Sequence, residues 1–316
     1  MKKRTIIALI VAGVLIIAGG MLTILGLSFA GDSTQKSELI RQEITIQENF
    51  ENIAIDTADC DVKFAMFSGR DDCMVEVYSY ENVKHTAAVE NGTLKIQMVD
   101  ERNWTDHIDI GRTESMEMTV YLPAAEYESL QIRTTTGDIA LAQEPVFLEA
   151  LLRTNTGDIS CVGAGGDALD CMTSTGDISL QNCAPNMLKL QSNTGDFKVS
   201  TVAGDEIHMM TNTGELDAEV VNALTVTCKT ETGDVELEKV LAEDYLQIRT
   251  DTGDVGVENC DAGRVDIETD TGDVSGHFLT SKWFSAFSDT GNVTVPNTPE
   301  GGECRIQTDT GDIHFK

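Results

Sequence analysis

One tetrapeptide, Thr-Gly-Asp-(Ile/Val) with small variations, recurs ten times in this chain, and its spacing is always 19 or 20 residues. The glycines are Gly137, Gly157, Gly176, Gly195, Gly214, Gly233, Gly253, Gly272, Gly291 and Gly311. A repeat of this length is too short for a βαβ unit. It is also too short for a four-stranded propeller blade, which needs roughly 40 residues or more. What remains is a quasi-one-dimensional stack in which each repeat is one coil.

Columns aligned on the glycine define the coil. Seven residues before it stand Leu130, Leu169, Leu188, Ile207 and their equivalents; five before it stand Ile132, Leu152, Leu190 and Ile248. The residue three before is Thr or Ser and the residue one before is Thr in every repeat. Alternation of this kind puts one set of side chains on one face of a strand, so both Thr columns are expected to face inward as hydroxyl ladders that satisfy each other. After the glycine the parity shifts: Ile139, Ile159, Ile178, Phe197 and Val235 are apolar two residues on. A Gly-Asp corner followed by a second short strand explains the shift. The fold class expected is all-β, a single-stranded parallel β-helix (a β-solenoid of 19–20 residues per coil), right-handed by the general preference of crossovers.

Residues 126–316 carry the regular coils. Residues 49–125 read as degenerate coils or an N-terminal β cap, with Cys60 in the glycine slot of a first coil and Trp104 as a packing residue. Residues 31–48 read as a polar stalk. Residues 5–30 hold no charge and follow Lys2-Lys3-Arg4. At ~1.5 Å per residue they can cross a ~30 Å hydrocarbon core. The basic cluster assigns residues 1–4 to the cytoplasm and everything after Gly31 to the outside. This makes one N-terminal transmembrane α-helix, an uncleaved signal anchor; the rival is a signal peptide cleaved after Ala30. The C-terminus carries no wall-sorting pattern, and Trp283, Phe284 and Phe287 are expected to thicken the core near that end.

The net charge of −31 excludes nucleic acid as a partner, since that recognition begins with neutralised phosphates. An acidic surface suits divalent cations or basic partners. Asp follows glycine in eight repeats, and a second acid column two residues before the glycine joins it in the last five. Calcium between coils would relieve the repulsion of stacked carboxylates, with Asp234, Asp251, Asp254, Asp270 and Asp273 as the candidate ligands. The alternative is that each Asp caps its own turn and points to water, with no cofactor at all. Of the eight cysteines, Cys161, Cys171, Cys183, Cys228, Cys260 and Cys304 fall where neighbouring repeats have Leu, Ile or Val. They read as small core hydrophobes, not disulfides. No zinc pattern, Walker lysine or G-x-S-x-G elbow occurs.

The T-x-T-G-D-(I/V) repeat resembles that of the bacterial putative-adhesin family of exported β-strand-repeat proteins, across about residues 45–316. The resemblance implies a β-solenoid in the cell envelope and supplies no catalytic residues. The function expected is a non-catalytic protein of the bacterial cell membrane. It would have a single pass and an extracellular C-terminal domain, adhesin-like or envelope-structural, binding through a solenoid face to an unknown protein or to a cell-wall or host surface. The alternatives are an envelope-stress sensor or scaffold with a membrane partner, and a polysaccharide-acting β-helix enzyme.

Overall fold

The computed structural model describes residues 39–66, 69, 72–101, 115–142 and 146–316. Every regular element among them is a strand. Residues 1–38, with the expected membrane segment 5–30, and Trp104 lie outside the described residues. Among the described residues no helix is long and apolar enough to cross a membrane.

The alternation seen in the sequence becomes burial. In Glu126–Arg133, Leu130 and Ile132 are buried, and so are their counterparts coil after coil, down to Val265, Ile267, Cys304 and Ile306. The strands after the corner add Ile139, Ile159, Ile178, Phe197, Leu216 and Val235. All join one continuous core. Each aliphatic side chain so buried contributes ~1.5–3 kcal/mol. Coil-to-coil pairing is parallel and in register, as in Leu169↔Leu188 and Leu188↔Ile207.

The two Thr columns part company. Thr154, Thr173, Thr211 and Thr230 are buried, whereas the Thr next to each glycine is exposed. In earlier coils the strand ends just before the inner Thr, as in Val146–Arg153 and Gly165–Met172, whereas in the last four it runs on through the outer Thr, as in Val255–Thr271. The inner hydroxyls do not bond one another either. From Thr154 to Thr269 each donates to the glycine carbonyl of the preceding coil, as Thr173 Oγ1 does to Gly157 O at 3.1 Å and Thr230 Oγ1 to Gly214 O at 3.2 Å.

The order of coils in space is not their order in sequence. Asn52–Asp56 pairs with Thr93–Asp100 on one edge and Glu126–Arg133 on the other. Cys60–Met66 lies between Met116–Leu122 and Ile139–Leu141. The first coil is thus a second layer, with Thr93–Asp100 and Met116–Leu122 outside it. Cys60 does occupy the glycine slot, since its carbonyl lies where a Cβ on Gly137 would go. The other end repeats the device. Gly302–Thr310 lies between Val255–Thr271 and Lys282–Thr290, so the outermost coil is that of Gly291, not Gly311. Identical columns make any two coils compatible neighbours, and residues 295–301 give the chain its way back.

At the N-terminal end the stack is closed by antiparallel strands. Ile40–Ile46 pairs with Cys73–Ser79, which pairs with Met116–Leu122. Ile40–Ile46, expected to be part of a polar stalk over 31–48, is instead a strand, because its side chains alternate well enough to join the sheet. Val83–Glu90 returns into Thr93–Asp100 through Asn91-Gly92, both at positive φ (52° and 76°), the pair a tight hairpin requires.

Rings gather near the ends. Tyr127 packs on Phe50 and Phe147 at 5.8 and 5.6 Å, and Phe278 on Phe315 at 5.3 Å. Of the three aromatics expected to thicken the core, only Phe284 joins it; Trp283 and Phe287 are 52% and 57% exposed. They occupy outward positions on either side of it, as strand alternation demands.

Candidate functional site

The corner is the most constrained place in each coil. Gly233 sits at φ +146°, and a Cβ on it would collide with the carbonyl oxygen of Gly214. Coils can stack at strand spacing there only because nothing projects. The Asp beside the glycine reaches along the axis. Asp158 N donates to Asp138 Oδ1, Asp177 N to Asp158 Oδ1 and Asp196 N to Asp177 Oδ1, each at 2.8 Å. These side chains do not cap their own turns; they hold the amide of the next coil. The series stops at Glu215, which donates to Asp196 but accepts nothing from Asp234. It resumes with Asp254 N to Asp234 Oδ1.

The five calcium candidates divide between two columns. Asp234, Asp254 and Asp273 are ladder members, each giving one carboxylate oxygen to an amide at 2.7–2.8 Å. Asp251 and Asp270 lie two residues before their glycines and are exposed. Among the described residues no three His, Cys, Asp or Glu side chains converge as a metal-ligand set. The donors are strung along an edge rather than gathered around a point.

A second corner, six residues after each glycine, holds Asn182, Thr201, Val220, Lys239 and Asn259 at φ 54–57°. Thr and Val are β-branched and rarely adopt this left-handed conformation. In-register stacking imposes it on them because their neighbours have it. Beside this corner runs an open groove of about 490 Å³ lined by Ala223, Leu241, Ala242 and Asp261. A smaller groove of about 340 Å³ lies nearer the glycine corner, lined by Gln191, Asn193, Asn212 and Lys229. Gly163 stands in the same column at φ 70°, and with the two asparagines it marks this corner in the sequence.

The family model that matches this chain covers residues 50–220 and 205–316 and describes Toastrack DUF4097. The chain belongs to the Toastrack family. Among solved structures it is similar to a protein of Bacteroides fragilis called a putative adhesin, with 12% identity, TM-score 0.47, and 89% of this chain and 98% of that chain covered. A Parabacteroides distasonis protein called a putative adhesin is similar at 13% identity and TM-score 0.47, again over 89% and 98%. Another from Parabacteroides distasonis, called a putative lipid binding protein, is similar at 14% identity and TM-score 0.44, over 87% and 96%. Among curated proteins none matches.

The titratable interior of this Toastrack chain is inert. All eight cysteines are free and buried. Burial pushes the Cys60, Cys73, Cys228 and Cys304 thiols up to about 12, far from the thiolate that attacks or ligates. His85, in the N-terminal cap, is 1% exposed, and burial lowers its pKa to about 4. Its Nε2 lies 3.4 Å from Thr57 Oγ1, while Nδ1 has no partner among the described residues. On the acidic side Glu236 is raised above the usual carboxylate range by burial first, then by Asp234 and Asp217.

Proposed function

We propose that this Toastrack chain is a non-catalytic binding protein of the cell surface, adhesin-like or envelope-structural, held to the membrane by residues 5–30. One observation carries the reading. Coil after coil repeats the same strands and the same corner columns, so the exterior offers long regular faces whose outward side chains vary. A polysaccharide-cleaving site would need a unique pair of carboxylates at fixed separation. Here the acids recur as a ladder whose members hold neighbouring amides. Extended repetitive faces suit recognition over a large area, as in other solenoids.

Two measurements on the full chain in its own cells test this. Protease added outside intact cells is expected to cleave residues 39–316 while a cytoplasmic control survives. Cells lacking the chain are expected to be retained several-fold less on mucin-coated or cell-wall-coated surfaces. Protection from outside protease would sink the surface placement, and unchanged retention on both coatings would sink the adhesive role. Calcium is the ion to vary. A higher melting temperature in millimolar calcium, reversed by chelator, would give the acid columns a ligand.

A further inference from the structure

The strands that precede each corner glycine form one parallel sheet from Glu126–Arg133 to Lys282–Thr290. Residues eight, six and four before each glycine make three outward columns on this sheet. Their charge is unlike the rest of the molecule. Residues 126–316 hold 34 Asp or Glu and 11 Lys or Arg. The three columns take only six of those acids but seven of the cations. Arg133, Arg153, Lys229 and Arg249 lie in the column nearest the corner, Lys189 and Arg305 in the middle one, and Arg264 in the far one. The face is nearly neutral, while the rest of residues 126–316 sets four lysines, one of them the buried Lys282, against 28 acids.

The same face carries exposed apolar side chains: Met187 at 48%, Trp283 at 52% and Phe287 at 57%. It also holds two of the three buried side-chain polar atoms without a partner among the described residues, Arg153 Nε and Asp170 Oδ1. Buried polar atoms are nearly always satisfied.

We propose that this face is the interface of a homodimer, two copies lying side by side with parallel axes about a two-fold axis that runs along the solenoid. That rotation sets the far column of one copy against the corner column of the other at the same level. Glu149 then meets Arg153, Arg264 meets Glu268, Tyr245 meets Arg249 and Trp283 meets Phe287, each pair formed twice. The middle column meets itself, but its charges alternate. Asp170 is in register with Lys189 and Asp266 with Arg305, so each like pair has opposite charges one coil away. The antiparallel arrangement would set Glu149, Glu206 and Glu303 in a column facing its own kind. Ten strands at ~4.8 Å and a width near 18 Å give about 850 Å² per copy, the area of a standard stable interface. The acidic columns stay outside, where repulsion between copies is least.

The test uses the full chain in intact cells. Its own thiols are buried, so an added surface cysteine is the one that reacts. Facing sheets lie ~10 Å apart, beyond the reach of a disulfide, so a short bis-maleimide is the probe. Thr227→Cys lies in the middle column; Glu219→Cys lies on the acidic face and is the control. Cross-linked homodimer is expected at least about fivefold above the control, because a formed dimer holds the two thiols at high effective concentration. On the Thr227→Cys background, Arg153→Glu is expected to lower that yield and Glu149→Arg with Arg153→Glu to restore it. Three results would each overturn the proposal: a Thr227→Cys yield no higher than the control, an adduct with a different protein in place of the homodimer, or a double reversal that fails to restore a yield lost on Arg153→Glu. A melting temperature equal to the parent's excludes misfolding as the cause. The proposal stands apart from whether the chain binds any outside surface.

Discussion

Single side chains decide how well one coil seats on the next. Glu215 is the weak rung. It stands where Asp138, Asp158, Asp177 and Asp196 each accept the next amide, but its extra methylene carries the carboxylate past Asp234 N. Glu215→Asp is expected to join the two halves of the ladder and stabilise by about 0.5–1 kcal/mol, the net value of one such bond. It would appear as a higher urea midpoint; an unchanged or lower midpoint would argue that these bonds add nothing. His85 acts on acid stability with a definite sign. Its folded pKa of about 4 lies below the ordinary 6.5, so the unfolded chain takes up the proton first. The stability tied to neutral His85 is whole above about pH 6.5 and drains away as pH falls toward 4, by at most about 3 kcal/mol. His85→Gln should flatten that limb relative to the parent in pH-dependent unfolding. The glycine columns and inward aliphatics were legible because they recur. The direction of the inner Thr hydroxyls was not, since a column cannot say whether its members bond each other or a backbone carbonyl one coil away.

Elements are held in place by fewer contacts than the repeat suggests. The outermost strand, Lys282–Thr290, is pinned by a buried lysine. The Lys282 amine is 2% exposed and donates to Asp261, to Ala262 O at 2.6 Å and to Thr280 Oγ1 at 3.1 Å. It lies 5.7 Å from the Phe278 ring centre. Lys282→Ala would leave Asp261 without its cation, keeping only the Thr280 hydroxyl and the Ala262 amide, and is expected to cost about 2–4 kcal/mol, as breaking a buried pair does. Removing both partners should cost less than the two single changes together, which a double-mutant cycle in thermal unfolding measures. Strand content and the corner were readable from alternation and glycine. Which strands are neighbours was not, because every coil presents the same columns to its neighbours. The Asn91-Gly92 turn was a readable signal for the antiparallel cap, and the positive φ at both residues accounts for it.

Across the whole molecule, spatial order and sequence order disagree at both ends, and exchange should report it. Amide protection is expected to be lower in Lys282–Thr290, bonded on one edge, than in Gly302–Thr310, bonded on both. Hydrogen exchange followed by mass spectrometry reads this directly; protection falling steadily toward residue 316 would contradict the layer order. The β-solenoid was legible from the repeat alone. The segregation of charge was not, because the excess of acid in composition hides a neutral face that emerges only when three columns are read side by side.

The insertion of the Gly302–Phe315 segment between two other layers also has a mechanical meaning. A stack laid down in sequence order opens under tension like a zip, one rung at a time from its free end. Tension arriving through Lys316 must instead drag a strand lengthwise out of a slot, loading the hydrogen bonds to both neighbours at once. Shear of that kind spreads force over many bonds, which would suit the adhesive role proposed above.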